Sequence, residues 1–211
     1  MTANVTSNRR SAIKWGVAVD LKRCTGCQSC TVTCKLENGT PPGVFWTRVL
    51  EKEEGTFPFA NKIFMPLRCN HCANPPCVPV CPTGASHVRD KDNLVLIDQD
   101  LCIGCRACVV ACPYQVRFVP ESGKGYYDEL TPYEDAAYDK WQVQTAQKCT
   151  LCVHRLDKGL QPACVDTCPT RALVFGDLND PQSEISKLIA QRPHFQPHAE
   201  LGTDPCVFYL T

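Results

Sequence analysis

Apolar residues in this chain come in short bursts, and the bursts stop where cysteines begin. Trp15 to Val19 is a compact apolar run that predicts a strand, and Leu94 to Ile97 predicts another. Each leads directly into a cysteine-rich stretch. Val44 to Leu50 and Lys62 to Leu67 predict two further strands, and His87 to Ile97 predicts a hairpin with Asp92-Asn93 near its turn. Helical spacing is scarcer. Cys27 to Glu37 and Cys105 to Cys112 predict short helices, the second stopped by Pro113. Ser183 to Gln191 predicts an amphipathic helix with Ile185, Leu188 and Ile189 on one face. Pro120 to Gln147 carries Gly123, Gly125, Pro132 and many polar residues, and predicts a long surface loop. No apolar run approaches the length of a membrane-spanning helix, about 18 residues.

Cysteine changes this picture most. Of 17 cysteines in 211 residues, 16 fall into four blocks of four. Block one is Cys24, Cys27, Cys30 and Cys34; block two is Cys69, Cys72, Cys77 and Cys81. Block three is Cys102, Cys105, Cys108 and Cys112; block four is Cys149, Cys152, Cys164 and Cys168. An odd total and close pairs in every block suit metal ligation better than disulfides, and thiolates that bind metal must be loaded in a reducing compartment. Charge is balanced at 22 basic and 22 acidic residues, which argues against nucleic acid or an anionic membrane surface as a partner. Arg9-Arg10-Ser11-Ala12-Ile13-Lys14 echoes a twin-arginine export signal, but only the five residues Trp15 to Val19 precede Asp20. The segment reads as a basic tail leading into the first strand.

Blocks one and three have the C-x2-C-x2-C-x3-C spacing of ferredoxins that hold cubane iron–sulfur clusters. Asp20-Leu-Lys-Arg-Cys24-Thr-Gly-Cys27 matches Asp98-Gln-Asp-Leu-Cys102-Ile-Gly-Cys105, and Cys81-Pro-Thr-Gly-Ala85 matches Cys168-Pro-Thr-Arg-Ala172. Blocks one and three therefore pair as repeats, as do blocks two and four, which points to a duplicated ferredoxin-like unit. In such a block the first three cysteines wrap one cluster on a tight loop, with Gly26 and Gly104 inside the loops of blocks one and three. The fourth lies on the following helix and ligates a second cluster.

Only 20 residues separate blocks two and three, bridged by the predicted hairpin, which is the spacing of a compact two-cluster ferredoxin. The expected ligand sets are then Cys69, Cys72, Cys77 and Cys112 for one cluster, and Cys102, Cys105, Cys108 and Cys81 for its neighbour. Blocks one and four pair around the outside: Cys24, Cys27, Cys30 and Cys168 for one cluster, Cys149, Cys152, Cys164 and Cys34 for the other. The alternative pairs block one with two and block three with four. Four [4Fe-4S] clusters are expected, and no aspartate or aromatic residue stands in for a ligand to suggest a three-iron centre. The competing chemistry is structural zinc. Block four, with 11 residues between Cys152 and Cys164, would pass alone for a zinc ribbon, whereas blocks one and three would not.

The expected fold class is α+β, with nested bacterial-type 2[4Fe-4S] ferredoxin-like units, short strands and helices, and many loops. Residues 15–68 and 149–180 form the outer unit, with a strand insertion at 40–68. Residues 69–113 form the inner unit, 114–148 a surface loop, and 181–211 a C-terminal helix and tail. A large aliphatic core is not expected, because clusters replace part of it. Cys206 lies outside the blocks and reads as a small buried apolar residue. His71 and His154 read as neighbours of the clusters or surface residues, not ligands. Lys35, Arg106 and Lys148 either offset cluster charge or are solvated. Trp46, Trp141, Tyr126 and Tyr127 either form an interface patch or pack internally. No nucleophile elbow, phosphate loop or dinucleotide fingerprint is present, so no catalysis is expected of the chain in isolation.

The order of the blocks, with Cys24-Thr-Gly-Cys27-Gln-Ser-Cys30 first, Cys69-Asn-His-Cys72-Ala-Asn-Pro-Pro-Cys77 second and Lys148-Cys-Thr-Leu-Cys152 opening the fourth, resembles the iron–sulfur subunits of the dimethyl sulfoxide reductase family of molybdenum or tungsten enzymes. Glu200-Leu-Gly-Thr-Asp-Pro205 is similar to that family's C-terminal ending. Gly43-Val-Phe-Trp46 and Glu54-Gly-Thr-Phe-Pro58 look most like the arsenate and phenylacetyl-CoA branches. The resemblance implies an electron-transfer subunit working between a large molybdopterin or tungstopterin catalytic subunit and a quinone-reactive membrane subunit. It departs from formate dehydrogenase relatives in lacking a C-terminal membrane helix, so no direct membrane insertion is expected. The implied address is the cytoplasm or the cytoplasmic face of the inner membrane, with periplasmic co-export beside a partner as the alternative. A free-standing polyferredoxin is the rival function.

Overall fold

The computed structural model describes residues 13–127 and 129–211; Arg9 and Arg10 lie outside them. The first strand, β1 (Trp15–Asp20), is the centre of the larger sheet. Three further strands complete it: β6 (Leu173–Asp177), β7 (His194–Phe195) and β8 (Val207–Leu210), in the order β6-β1-β8-β7. β1 runs antiparallel to β6 and parallel to β8. It is paired on both edges and covered on both faces, so Val17, Ala18 and Val19 are at most 1% exposed. That is why its apolar run does not alternate with polar residues.

Side-chain alternation still sorts the two faces. Ala18, Val174 and Leu210 pack with Ile185, Leu188 and Ile189 of α6 (Glu184–Gln191), the amphipathic helix expected from the sequence. The Ser183 hydroxyl caps it by accepting the Ser186 N–H. Val17, Val19, Leu173, Val207 and Tyr209 belong to the other face and pack with Cys30, Leu151, Cys164 and Val165. One face of the sheet thus carries a helix and the other meets the cysteine loops. Among the described residues, the buried apolar ones form four separate groups, and three of them contain block cysteines.

The remaining strands are hairpins that deliver one cysteine block to the next. β2 (Thr47–Glu54) pairs with β3 (Asn61–Arg68) over eight residue pairs, and the hairpin runs into Cys69. Its base is buried at Thr47, Leu67 and Arg68, while Phe57 and Phe59 stand exposed at its tip. β4 (Ser86–Val88) pairs with β5 (Val95–Ile97) between blocks two and three. Helices are short: α1 (Ser29–Asn38), α2 (Ala107–Val110), α4 (Val153–Leu156) and α5 (Ala163–Asp166) all lie inside or beside cysteine blocks. The expected helix over Cys105 to Cys112 is therefore only one turn. α1 of block one packs on α5 of block four, and just beyond α5 the Thr167 hydroxyl donates to that of Thr33 at 3.1 Å.

Two segments differ from the sequence reading. Pro120–Gln147 is not simply a surface loop. It contains α3 (Pro132–Tyr138), started by a capping box between Thr131 and Glu134 with Pro132 in the first turn. Ala137 and Trp141 are buried, and Trp141 donates to the Gly39 carbonyl at 2.7 Å. The residues after 191 are more than a tail, since β7 and β8 extend the sheet. Among the described residues no helix is long and apolar enough to cross a membrane.

Candidate metal centres

Repeated blocks have repeated backbones. Gly26 and Gly104 both have φ +68°, and the residues that open the following helices, Gln28 and Arg106, have φ 61° and 62° with ψ 4° in each. In blocks two and four, His71 and Leu151 occupy equivalent positions and both have positive φ. Gly84 and Arg171 match in the same way after Cys81 and Cys168. Left-handed conformations at residues other than glycine are uncommon and gather at functional sites. Here they turn successive thiols inward from tight loops.

What crowds the loop glycines is visible too. A Cβ on Gly104 would sit 2.3 Å from the Gln144 carbonyl oxygen, whereas one on Gly84, also at positive φ, would meet nothing within 4 Å. Gly84→Ala should therefore cost only the left-handed penalty, about 1–2 kcal/mol. Gly104→Ala must also displace backbone and should cost clearly more. Denaturant unfolding of the two cluster-loaded variants compares them; equal losses would show that the Gln144 segment yields freely.

The thiols converge from distant stretches of chain. Cys24, Cys27, Cys30 and Cys168 line one pocket. Cys69, Cys72, Cys77 and Cys112 line another. Cys34 lies near Cys164 and Cys152, and Cys149 lies near Cys34, Cys164 and Cys152. Cys102 accepts the Ala146 N–H at 3.3 Å, and Cys81 accepts the Ser86 N–H at 3.4 Å. These contacts do not by themselves join Cys81 to Cys102, Cys105 and Cys108.

Burial divides the thiols sharply. Cys34, Cys149, Cys152 and Cys164 are all buried, as are Cys69, Cys72, Cys77 and Cys112. By contrast Cys27 and Cys105 are exposed, and Cys24, Cys168, Cys81 and Cys102 are half-buried. Burial pushes the Cys34 and Cys72 thiols up to about 12. Burial also raises Cys149 well above its ordinary value. Hydrogen bonds from Ser29 hold exposed Cys27 below its ordinary value. In the metal-free chain Cys34, Cys72 and Cys149 are neutral, and iron must displace their protons.

Around them stand cations without anions. Arg68, Lys148 and Arg117 are buried, and among the described residues none pairs with a carboxylate. Arg68 donates to Cys164 Sγ at 3.1 Å, and Arg117 donates to Cys77 Sγ at 2.8 Å and to Ser86 Oγ at 2.9 Å. Lys148 donates to the Cys149 carbonyl at 2.9 Å and to that of Val95. Among the described residues, Arg68 Nε and Nη2 and Arg117 Nη1 have no hydrogen-bond partner. Buried charges this costly are compensated, and metal-bound thiolate and sulfide are what this interior can offer. The donor set therefore fits anionic iron–sulfur cubes.

Sequence reasoning singled out Lys148 but missed Arg68 and Arg117. Arg68 directly precedes Cys69, yet nothing in a single arginine reveals that its strand will turn it inward. The other named residues resolve cleanly. Lys35 holds the loop after α1, donating to carbonyls of Thr40, Pro41 and Val44. Arg106 is exposed and pairs with Glu121 at 2.8 Å. His154 is exposed and meets Glu37 at 2.7 Å. His71 is buried; its Nδ1 accepts the Val95 N–H at 3.2 Å, and burial keeps the ring neutral. Cys206 is buried, Trp46 and Trp141 pack internally, and Tyr126 and Tyr127 are exposed.

Comparison with known proteins agrees with this chemistry. The 4Fe-4S dicluster domain family matches residues 60–127 and 122–178, and a 4Fe-4S binding domain matches residues 21–40. The arsenate respiratory reductase iron-sulfur subunit of Shewanella sp. (strain ANA-3) is 42% identical over 94% of this chain and 96% of its own length. A selenate reductase subunit of Mesobacillus selenatarsenatis is 45% identical over 94% of this chain and 72% of its own length. A tetrathionate reductase subunit of Salmonella typhimurium is 43% identical over 93% of this chain and 72% of its own length. The chain carries [4Fe-4S] clusters, each of which exchanges single electrons when bound, and its thiols, loops and buried cations hold them. This protein belongs to the family of electron-transferring iron–sulfur subunits of the dimethyl sulfoxide reductase-type molybdoenzymes.

Proposed function

We propose that this chain relays electrons along a row of four clusters whose two ends are exposed and whose middle is insulated. The ligand sets are nested. Cys24, Cys27, Cys30 and Cys168 form one end, followed by Cys149, Cys152, Cys164 and Cys34. Next come Cys69, Cys72, Cys77 and Cys112, and the far end is Cys102, Cys105, Cys108 and Cys81. The observation that carries this reading is the division of burial: both middle quartets are wholly buried, while each end quartet has one exposed and two half-buried cysteines. A relay needs access for partners at its ends and exclusion of solvent between them.

Each end also offers apolar surface. Val32 and Leu36 are exposed on α1, the helix that follows Cys27, and Leu101, Ile103 and Val110 are exposed in the stretch that holds Cys105. Two separate docking faces suit two partners. The first end serves a large molybdopterin or tungstopterin catalytic subunit, and the far end serves a quinone-reactive membrane subunit. The chain then lies against the cytoplasmic face of the inner membrane, held there by its partner.

Cys168→Ser tests the nesting. It should damage the cluster held by Cys24, Cys27 and Cys30, leaving the signal of the Cys102, Cys105 and Cys108 cluster in paramagnetic resonance of the reduced protein. Cys81→Ser should do the reverse. Exchanged outcomes would replace nesting with pairing of block three and block four. Purification of the complex tests the partners: the chain should elute with a large subunit containing molybdenum or tungsten, and elution as a lone chain would favour a free carrier.

A further inference from the structure

We infer that Arg68, Lys148 and Arg117 are gap cations, one standing in each of the three gaps of the cluster row and raising the potentials of the two clusters it separates. This rests on the row proposed above and adds to it what sets the energy of each step.

The surroundings of each cation place it. Arg68, which hydrogen-bonds Cys164, is acted on by Cys164 and Cys149 of one set and Cys30 of another. It therefore stands between the first end and the adjoining middle quartet. Lys148 donates to the carbonyl of Cys149 on one side and to that of Val95 on the other, and Val95 lines the same pocket as Cys69 and Cys77. Those are the two middle quartets. Arg117 hydrogen-bonds Cys77 and is acted on by Cys77, Cys69 and Cys108, which belong to the second middle quartet and the far end. Three gaps thus receive three different cations.

Their surroundings also make them effective. All three are buried, and among the described residues no carboxylate answers any of them. Salt screens an exposed charge such as Arg106 but reaches buried charges far less. A positive charge between two anionic centres stabilises the electron added to either, so it raises both potentials. It also offsets the repulsion between two electrons on neighbouring clusters, which would otherwise oppose filling the row. Unpaired N–H groups on Arg68 and Arg117 remain free to donate to cluster sulfur, which shifts potential the same way.

The test is a redox titration of the complete, cluster-loaded protein with its partner subunits, followed by paramagnetic resonance. Lys148→Gln should lower two midpoints, each by about tenfold in the reduction equilibrium, or about 59 mV for one electron. Arg117→Gln and Arg68→Gln should likewise lower two each. The Lys148 pair should share one cluster with the Arg117 pair and the other with the Arg68 pair. The Arg117 and Arg68 pairs should share none. Arg68→Lys, Arg117→Lys and Lys148→Arg should keep midpoints near those of the parent. Unchanged midpoints, or equal movement of all four, would overturn the inference. So would iron loss in both neutral and charge-keeping variants, which would make these residues structural only. Iron loss confined to neutral variants supports the need for charge. The number of midpoints that move does not depend on ligand names. A Cys168→Ser result against nesting is thus distinguishable from failure of the gap cations.

Discussion

Removing iron and sulfide under anaerobic, non-denaturing conditions is expected to unfold this chain as well as to bleach it. The reason lies in what would be left behind. Arg68, Lys148 and Arg117 are buried with no carboxylate partner among the described residues. Taking away the counter-charge of a buried ion costs about 3–5 kcal/mol, and the whole stability of a domain is about 5–15 kcal/mol. Two such cations left unanswered would consume most of it.

The apolar groups could not make up the difference. The group under α6 holds only Ala18, Ile185 and Leu210 as fully buried members. The opposite face of the sheet packs against Cys30, Cys164 and Leu151, whose loops lose their anchors with the metal. Far-ultraviolet circular dichroism and limited proteolysis of the iron-free chain check this. A cooperative thermal transition in cluster-free protein would show that the polypeptide folds without its cofactors.

Legibility followed the range of the interactions. The iron–sulfur character of the cysteine blocks was readable because a cubane dictates close cysteine spacing on one loop, and that spacing is written locally. β1 and the β4–β5 hairpin were readable because apolar runs and a turn signal are local too. The register of β8 beside β1 was not, since Val207–Leu210 is only four residues long and is specified by a partner almost 200 positions away. Arg68 was invisible for a similar reason. An arginine at the end of a strand usually points to solvent, and only the convergence of blocks one and four buries it. The capping box at Thr131 and Glu134 was a local signal that could have been used. Two glycines, a proline and many polar residues outweighed it, and the pattern favoured a loop where the chain forms a helix.

Within that segment Trp141→Ala should destabilise the loaded protein by about 3–5 kcal/mol. Trp141 is buried, packs at 4.8 Å from the Tyr138 ring with the planes tilted by 53°, and donates to the Gly39 carbonyl at 2.7 Å. Gly39 ends α1 in a left-handed turn, and a helix end exposes carbonyls without internal partners. Neighbours on the same segment answer others: the Tyr133 hydroxyl donates to Leu36 O, and Lys140 donates to Glu37 O at 3.2 Å. The segment is thus a cap on α1, the helix that carries Cys30 and Cys34. Trp141→Phe keeps most of the packing and loses chiefly one hydrogen bond, about 1 kcal/mol, with some lost volume. Denaturant midpoints of the two variants, read beside iron content, separate the contributions. If Trp141→Ala matched Trp141→Phe, the indole would be a surface cover and α1 would hold its cysteines in place unaided.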